Sequence, residues 1–231
     1  MASKVFELTS SYDFNIFNWL NNNKSPKIKI YNHSKQILRY GENPHQKAIY
    51  FKQSNKKTIN DGIIQSNKLL SYNNLLDIDA AFDCINEFTE PSCVIIKHSN
   101  PCGVASNKQI IDAYKCALKT DPISAFGGIL ALNKTISKKL AKLISLRFFE
   151  IIIAPAFNQE AKKIFAKKKK LTLIETKNIY KTKNNEIKRI VGGYLYQQKN
   201  VIKFSKKHLK LVSKGNISTK LVDDIIFSFK V

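Results

Sequence analysis

The sequence predicts an α/β fold, with helices laid on both faces of a mostly parallel sheet. Three observations carry that prediction. Short, continuously apolar runs such as Cys93-Val94-Ile95-Ile96 and Ile151-Ile152-Ile153 read as strands buried on both faces. Between them lie segments whose apolar residues recur at helical spacing, such as Ile78, Ala81, Phe82, Ile85 and Phe88. The two kinds of segment alternate over about 100 residues, the order expected of a sheet whose crossovers are helices.

In chain order, the opening to Gln36 is polar and Asn-rich, a linker-like stretch over 1–36. Asp13 is placed to cap a short helix carrying Ile16, Phe17 and Leu20, which Asn21-Asn22-Asn23-Lys24-Ser25-Pro26 then breaks. Lys47–Phe51 reads as a strand, and Leu75–Phe88 as a helix capped by Asn73 or Asn74. Ser92–Lys97 is a buried strand, and Ile110–Leu118 a helix facing inward through Ile110, Ala113, Tyr114 and Ala117. Gly128–Leu132, Ile151–Ile153 and Leu171–Ile174 are strands, separated by helices over Lys138–Leu146 and Glu160–Lys168. A Lys/Thr/Asn-rich hinge runs from Glu175 to Asn185. A Gly-bearing strand comes next over Ile190–Tyr196, and a last helix over Leu221–Phe229.

Composition bounds the function. The 231 residues are 43% hydrophobic and 24% charged, so disorder does not describe the whole chain. A chain this long buries roughly 70% of its extended surface and needs no disulfide or metal to fold. It has no run of about 18 apolar residues, the length a membrane-spanning helix needs. Met1–Leu20 lacks the basic-then-apolar order of a secretory signal. Cys84, Cys93, Cys102 and Cys116 are not spaced as zinc pairs and read as reduced thiols of a cytoplasmic protein. The net charge is +22, yet only three of the 39 basic residues are Arg: Arg39, Arg147 and Arg189. Nucleic-acid surfaces use Arg heavily, so the excess reads first as Lys filling solvated positions. The Lys167–Lys170 run closes a helix whose dipole favours cations.

Ligands of open α/β sheets bind at the carboxyl ends of strands, so the residues just after each buried strand are the first candidates for a site. Val94-Ile95-Ile96 leads into Lys97-His98-Ser99-Asn100-Pro101-Cys102-Gly103. An imidazole can take a proton from a nucleophile and an ammonium can neutralise developing negative charge. The pair serves one site only if the strand breaks there, as Asn100-Pro101 suggests. The bland alternative is a surface turn with a satisfied His. A second candidate is Leu38–Gln46, where Arg39 offers the bidentate phosphate contact that Lys makes poorly. A third is Asp121–Gly128, whose paired glycines allow close backbone approach but fit a tight turn equally well. The fourth is Glu150, a lone carboxylate before a strand, which elsewhere is more often merely exposed or paired.

Together, Leu38–Gln46, Leu70–Asn74, Val94–Gly103, Asp121–Leu132 and Glu150–Pro155 resemble, in order and spacing, one enzyme domain. It is the transformylase domain of the bifunctional phosphoribosylaminoimidazolecarboxamide (AICAR) formyltransferase and IMP cyclohydrolase family. The resemblance covers residues 1–231. It implies a cytidine-deaminase-like, three-layer fold, incomplete at its C-terminus, with 37–185 as a first α/β subdomain and 186–231 as the start of a connection to a second. It implies formyl transfer from 10-formyltetrahydrofolate to the exocyclic amine of AICAR, in a homo-oligomer or with a complementing C-terminal half. His98 matches the family's base and Lys97 its transition-state stabiliser. Arg39, Tyr40, Gly127 and Glu150 match nucleotide-binding positions. The zinc signature of true deaminases is missing, Pro101-Cys102 standing without partners, so no metal is expected. The cyclohydrolase region that precedes this domain in the family is absent, and the chain reads as the first half of the transformylase. The competing expectation is a basic remnant that binds polyanions nonspecifically.

Overall fold

The computed structural model describes residues 1–21, 33–53, 57–177, 186–200, 204–212 and 214–231. The apolar runs do become strands. Six of them, β3 (Ile63–Gln65), β4 (Ser92–Lys97), β5 (Asn100–Ser106), β6 (Ile129–Leu132), β7 (Ile151–Ala154) and β8 (Thr172–Glu175), form one sheet in the order β3-β8-β7-β6-β4-β5. The middle of the sheet, β6-β7-β8, is parallel, as βαβ alternation requires. The remaining pairs, β4 with β6, β4 with β5 and β3 with β8, are antiparallel, so the sheet is mixed.

Helices cover both faces. Because successive strand residues point to opposite sides, Cys93, Ile95, Leu130, Leu132, Ile152 and Ala154 pack against α3 (Ile110–Thr120), α4 (Lys138–Ser145) and α5 (Gln159–Ala166). Their neighbours Val94, Ile96, Ile129, Ala131, Ile151 and Ile153 pack on the other side against α2 (Tyr72–Ile85), through Ile78, Ala81 and Ile85. Two cores separated by one sheet make three layers, and the α/β class read from the sequence holds.

Several local expectations are corrected. The first helix, α1 (Ala2–Leu20), spans 19 residues, with Asp13 inside it and not at its cap. No Gly or Pro interrupts that stretch, so nothing stops the helix early. The cap of α2 is Ser71, whose Oγ accepts from the Asn74 N–H at 3.1 Å while Asn74 Oδ1 accepts from the Ser71 N–H at 3.2 Å. This is a capping box, with Asn74 as its far member. The predicted strand over Ile190–Tyr196 is a hairpin of β9 (Glu186–Ile190) and β10 (Gly193–Gln197). It turns at Val191-Gly192, where Gly192 takes a φ of +78°. Two further strands, β1 (His33–Ile37) and β2 (Ile49–Gln53), form another antiparallel hairpin. The last helix, α6 (Thr219–Lys230), sets Phe227 against Phe88, ring centroids 5.2 Å apart. The break over Asn22–Pro26 and most of the hinge before Asn185 lie outside the described residues. Among the described residues, no helix is long and apolar enough to cross a membrane.

Candidate active site

Strand direction decides where the candidate residues meet. Because β4 runs antiparallel to β6, the carboxyl end of β4 lies at the same sheet edge as the amino ends of β6, β7 and β8. Lys97 ends β4, Gly127 and Gly128 precede β6, and Glu150 precedes β7. The carboxyl-end rule therefore holds for β4 alone. Gly127 and Glu150 reach the same edge because the sheet is mixed.

The heptapeptide after Ile96 is not one open bend. Lys97 pairs with Asn100, and His98 and Ser99 form a two-residue hairpin turn, both with positive φ (53° and 59°). Two positive φ values are what type I′ hairpin turns need, and Gly, Asn and Asp ordinarily supply them. A non-Gly residue held there stores roughly 1–3 kcal/mol of strain. Asp77 of α2 holds the turn: its Oδ1 accepts from the Ser99 N–H at 2.6 Å. Asn100 Nδ2 donates to the His98 carbonyl at 2.8 Å. Asn100-Pro101 begins strand β5 instead of breaking the chain. A proline is tolerated there because β5 is an edge strand whose outer side needs no N–H. The register shift opposite Ile95 and Ile96 leaves Cys102 as the extra residue of a bulge.

His98 is exposed at the tip, whereas Lys97 is half-buried and donates from Nζ to the Phe126 carbonyl at 2.9 Å. That bond joins it to the third candidate segment. Gly127 sits at φ +75° and gives its N–H to the Phe148 carbonyl at 2.9 Å, and the Glu150 N–H bonds the Gly128 carbonyl at 3.1 Å. Glu150 Oε2 accepts from Lys68 Nζ and from Asn74 Nδ2, each at 3.1 Å. Asn74 and Asp77 lie three residues apart, on one face of α2. This single helix thus braces Glu150 and the His98 turn together.

Arg39 and Tyr40 lie in the loop between β1 and β2 and are tied to the start of α2. The Arg39 N–H donates to the Leu70 carbonyl at 3.0 Å, and the Tyr72 N–H to the Tyr40 carbonyl at 3.1 Å. Asn73 Nδ2 adds a bond to the Glu42 carbonyl at 3.0 Å. The Arg39 guanidinium stacks 4.5 Å over the Tyr40 ring and donates to its hydroxyl. All six candidate residues therefore lie on one hydrogen-bonded framework that runs through the first turns of α2.

The electrostatics separate the groups. Hydrogen bonds from Ser124 and Ile123, helped by the nearby Lys97 cation, hold the Asp121 carboxyl below the usual range. Burial pushes the Cys102 thiol up, the Asp121 and Asp77 carboxylates add to this, and Lys97 opposes it. A thiol kept protonated is a poor nucleophile, which leaves His98 and Lys97 as the candidate reactive groups of this edge. Asp77 and Lys68 join the site without having stood out in the sequence, and Asn74 joins it after standing out only as a helix cap and the end of the Leu70–Asn74 motif. The usable signal was the i, i+3 pair after a Ser cap, which puts two polar side chains on the helix face toward the strand ends. Among the described residues, no group of three or more His, Cys, Asp and Glu is placed to hold a metal ion.

A family profile described as the AICARFT/IMPCHase bienzyme matches residues 1–231. The chain belongs to this family. Curated members similar to it are bifunctional purine biosynthesis proteins PurH. The protein of Thermoanaerobacter sp. (strain X514) is 41% identical over 239 residues, covering 100% of this chain and 46% of the relative. That of Caldicellulosiruptor bescii is 41% identical over 241 residues, covering 100% and 47%. That of Caldicellulosiruptor saccharolyticus is 39% identical, with the same coverage. The chain spans about half the length of these AICARFT/IMPCHase relatives.

Proposed function

We propose that the chain contributes to formyl transfer from 10-formyltetrahydrofolate to the exocyclic amine of AICAR, a cytoplasmic step of purine biosynthesis. The amine is conjugated with the imidazole carboxamide and is a poor nucleophile, so its proton must leave as the new bond forms. In this reading the His98 imidazole takes that proton as the amine nitrogen attacks the formyl carbon. The Lys97 ammonium neutralises the oxyanion of the tetrahedral adduct. Collapse of the adduct re-forms the carbonyl and breaks the bond to N10 of the folate. The protonated His98 then returns its proton to that nitrogen, so the atoms balance.

The nucleotide is held at the other end of the same framework. Arg39, aligned by its stacking on Tyr40 and tied to the start of α2, supplies the cation for the phosphate, and the helix N-terminus reinforces it. Glu150 accepts ribose hydroxyls while Lys68 and Asn74 fix its orientation. Gly127 lets the backbone approach the heterocycle closely. The formyl donor is a second substrate, and most of its pocket belongs to the part of the relatives' length outside this chain. Residues matching that part of the relatives would supply it.

The observation that carries this reading is the strained His98-Ser99 turn, bonded to the helix that also braces Glu150. Strain is retained where the surroundings over-determine it, and such places cluster at reactive sites. The test is calorimetric titration of AICAR into the chain and into His98→Ala. A formyl-transfer assay comes next, with the remaining half of the relatives' length added as a second polypeptide. Saturable AICAR binding in both proteins, with turnover lost only in His98→Ala, is expected. Undiminished turnover by His98→Ala removes the imidazole from the mechanism, and absence of AICAR binding removes the nucleotide site.

A further inference from the structure

A cavity of about 530 Å³ opens beside the candidate active site, on the sheet face covered by α4 and α5. Its walls are apolar: the rings of Phe126 and Phe148 line the opening, and the buried Ile152 and Phe165 lie beneath it as its floor. Its rim is cationic. Arg147, one of only three arginines, and the whole run Lys167–Lys170 are exposed residues of its lining. No carboxylate is among the lining residues, and among the described residues no ion pair is formed by any of these five cations. The dipole of α5 does not account for the whole run, because that helix ends at Ala166. The lysines continue past it as exposed chain along the cavity mouth.

We infer that this cavity is a binding site for an amphipathic organic anion: a flat or alkyl apolar body seated among the phenylalanines, with a carboxylate or phosphate facing Arg147 and the lysines. The volume lies within the roughly 300–1,000 Å³ that small-molecule sites occupy, and apolar walls with a few convergent polar groups are their usual make-up. Charge complementarity fixes the class of ligand. A neutral apolar molecule leaves five cations unanswered, and a small inorganic anion leaves the apolar walls wet. A long polyanion would bind the lysines from outside and leave the cavity empty. The site also touches the first one. Phe126, whose ring lines the cavity and packs at a tilt against Phe148, 5.3 Å between centroids, presents its carbonyl to Lys97. Occupancy would bear on the segment that positions that ammonium. The site itself needs no formyl transfer to exist.

The experiment uses 2-naphthoate as the anionic probe and 2-naphthalenemethanol as its neutral counterpart. Each is titrated into the chain by calorimetry, with ligand-observed NMR as a second readout. Naphthoate is expected to bind saturably at one site per chain, at least tenfold more tightly than the alcohol. Lys168→Glu/Lys169→Glu should weaken it at least tenfold while leaving the alcohol unchanged. If charge reversal disturbs folding by circular dichroism, Arg147→Gln tests the rim at a second segment and should lower naphthoate affinity severalfold. Equal binding of acid and alcohol, or affinity indifferent to these substitutions, overturns the assignment. Heparin binding without a saturable naphthoate site also overturns it, and hands the lysines to nonspecific polyanion contacts.

Discussion

Lys97 ends a buried strand, and its Nζ is already engaged by a carbonyl, so the ammonium is held in place before any substrate arrives. A charge fixed in advance needs no reorganisation as negative charge develops. Lys97→Ala should therefore lower turnover by about 10²–10³-fold, with little change in AICAR affinity, in a steady-state assay with the second polypeptide supplied. A fall in affinity with unchanged turnover would make Lys97 a binding residue only. Asp121 works on the same segment from the other side. Its lowered pKa means that the folded state prefers it ionised. Its stabilising effect is present above the ordinary carboxylate pKa of about 4 and is lost as pH falls through the lower folded value. Chemical denaturation of the chain and of Asp121→Asn should thus differ at pH 7 and converge in strong acid. A gap that persists in acid would assign the effect to packing.

At the level of elements, the hairpin of β4 and β5 is positioned by what lies over it. A Cβ on Gly103 would sit 2.0 Å from the Ala117 carbonyl oxygen, so α3 rests directly on the β5 backbone. Gly103→Ala must push helix and strand apart and should destabilise the chain by about 3 kcal/mol, read as a lower denaturation midpoint. An unchanged midpoint would show that α3 shifts freely. Helix α2 has a different task. Its Ser71–Asn74 capping box fixes the first turn, and Asn74 and Asp77 then reach Glu150 and Ser99. The helices and strands themselves were legible because their periodicities are local: the runs ending at Lys97 and starting at Ile151 fall where their apolar patterns place them. The tight turn at His98-Ser99 was not, since neither residue is a usual choice at positive φ and Asn100-Pro101 looks like the break. Only the edge position of β5 and the Asp77 carboxylate explain why the chain reverses two residues earlier. The same holds for β9 and β10, where Gly192 turned an expected single strand into a hairpin.

For the whole molecule, the charge of +22 and the site make opposite demands on salt. Nonspecific polyanion binding neutralises many phosphates and falls steeply with ionic strength, while one nucleotide phosphate gives a shallow dependence. AICAR affinity measured across roughly 50 to 300 mM salt should fall only severalfold, whereas heparin retention should vanish over the same range. A steep AICAR slope would mean that diffuse positive charge, and not a built site, holds the nucleotide. The exposed apolar residues of α1, among them Phe6, Trp19 and Leu20, belong to a chain that spans about half of its relatives' length.

By itself, the sequence determined the layering: which residues are apolar at which spacing depends only on local periodicity, and burial comes from it. It also determined the family, since ordered motifs survive in the chain whatever their geometry. The tertiary structure alone decided that Lys97, Gly127 and Glu150 meet. They are distant in sequence and stand at opposite ends of their own strands, and only the antiparallel placement of β4 beside β6 brings those ends to one edge. Strand direction within a sheet is a long-range choice, set by packing between segments that share no local signal.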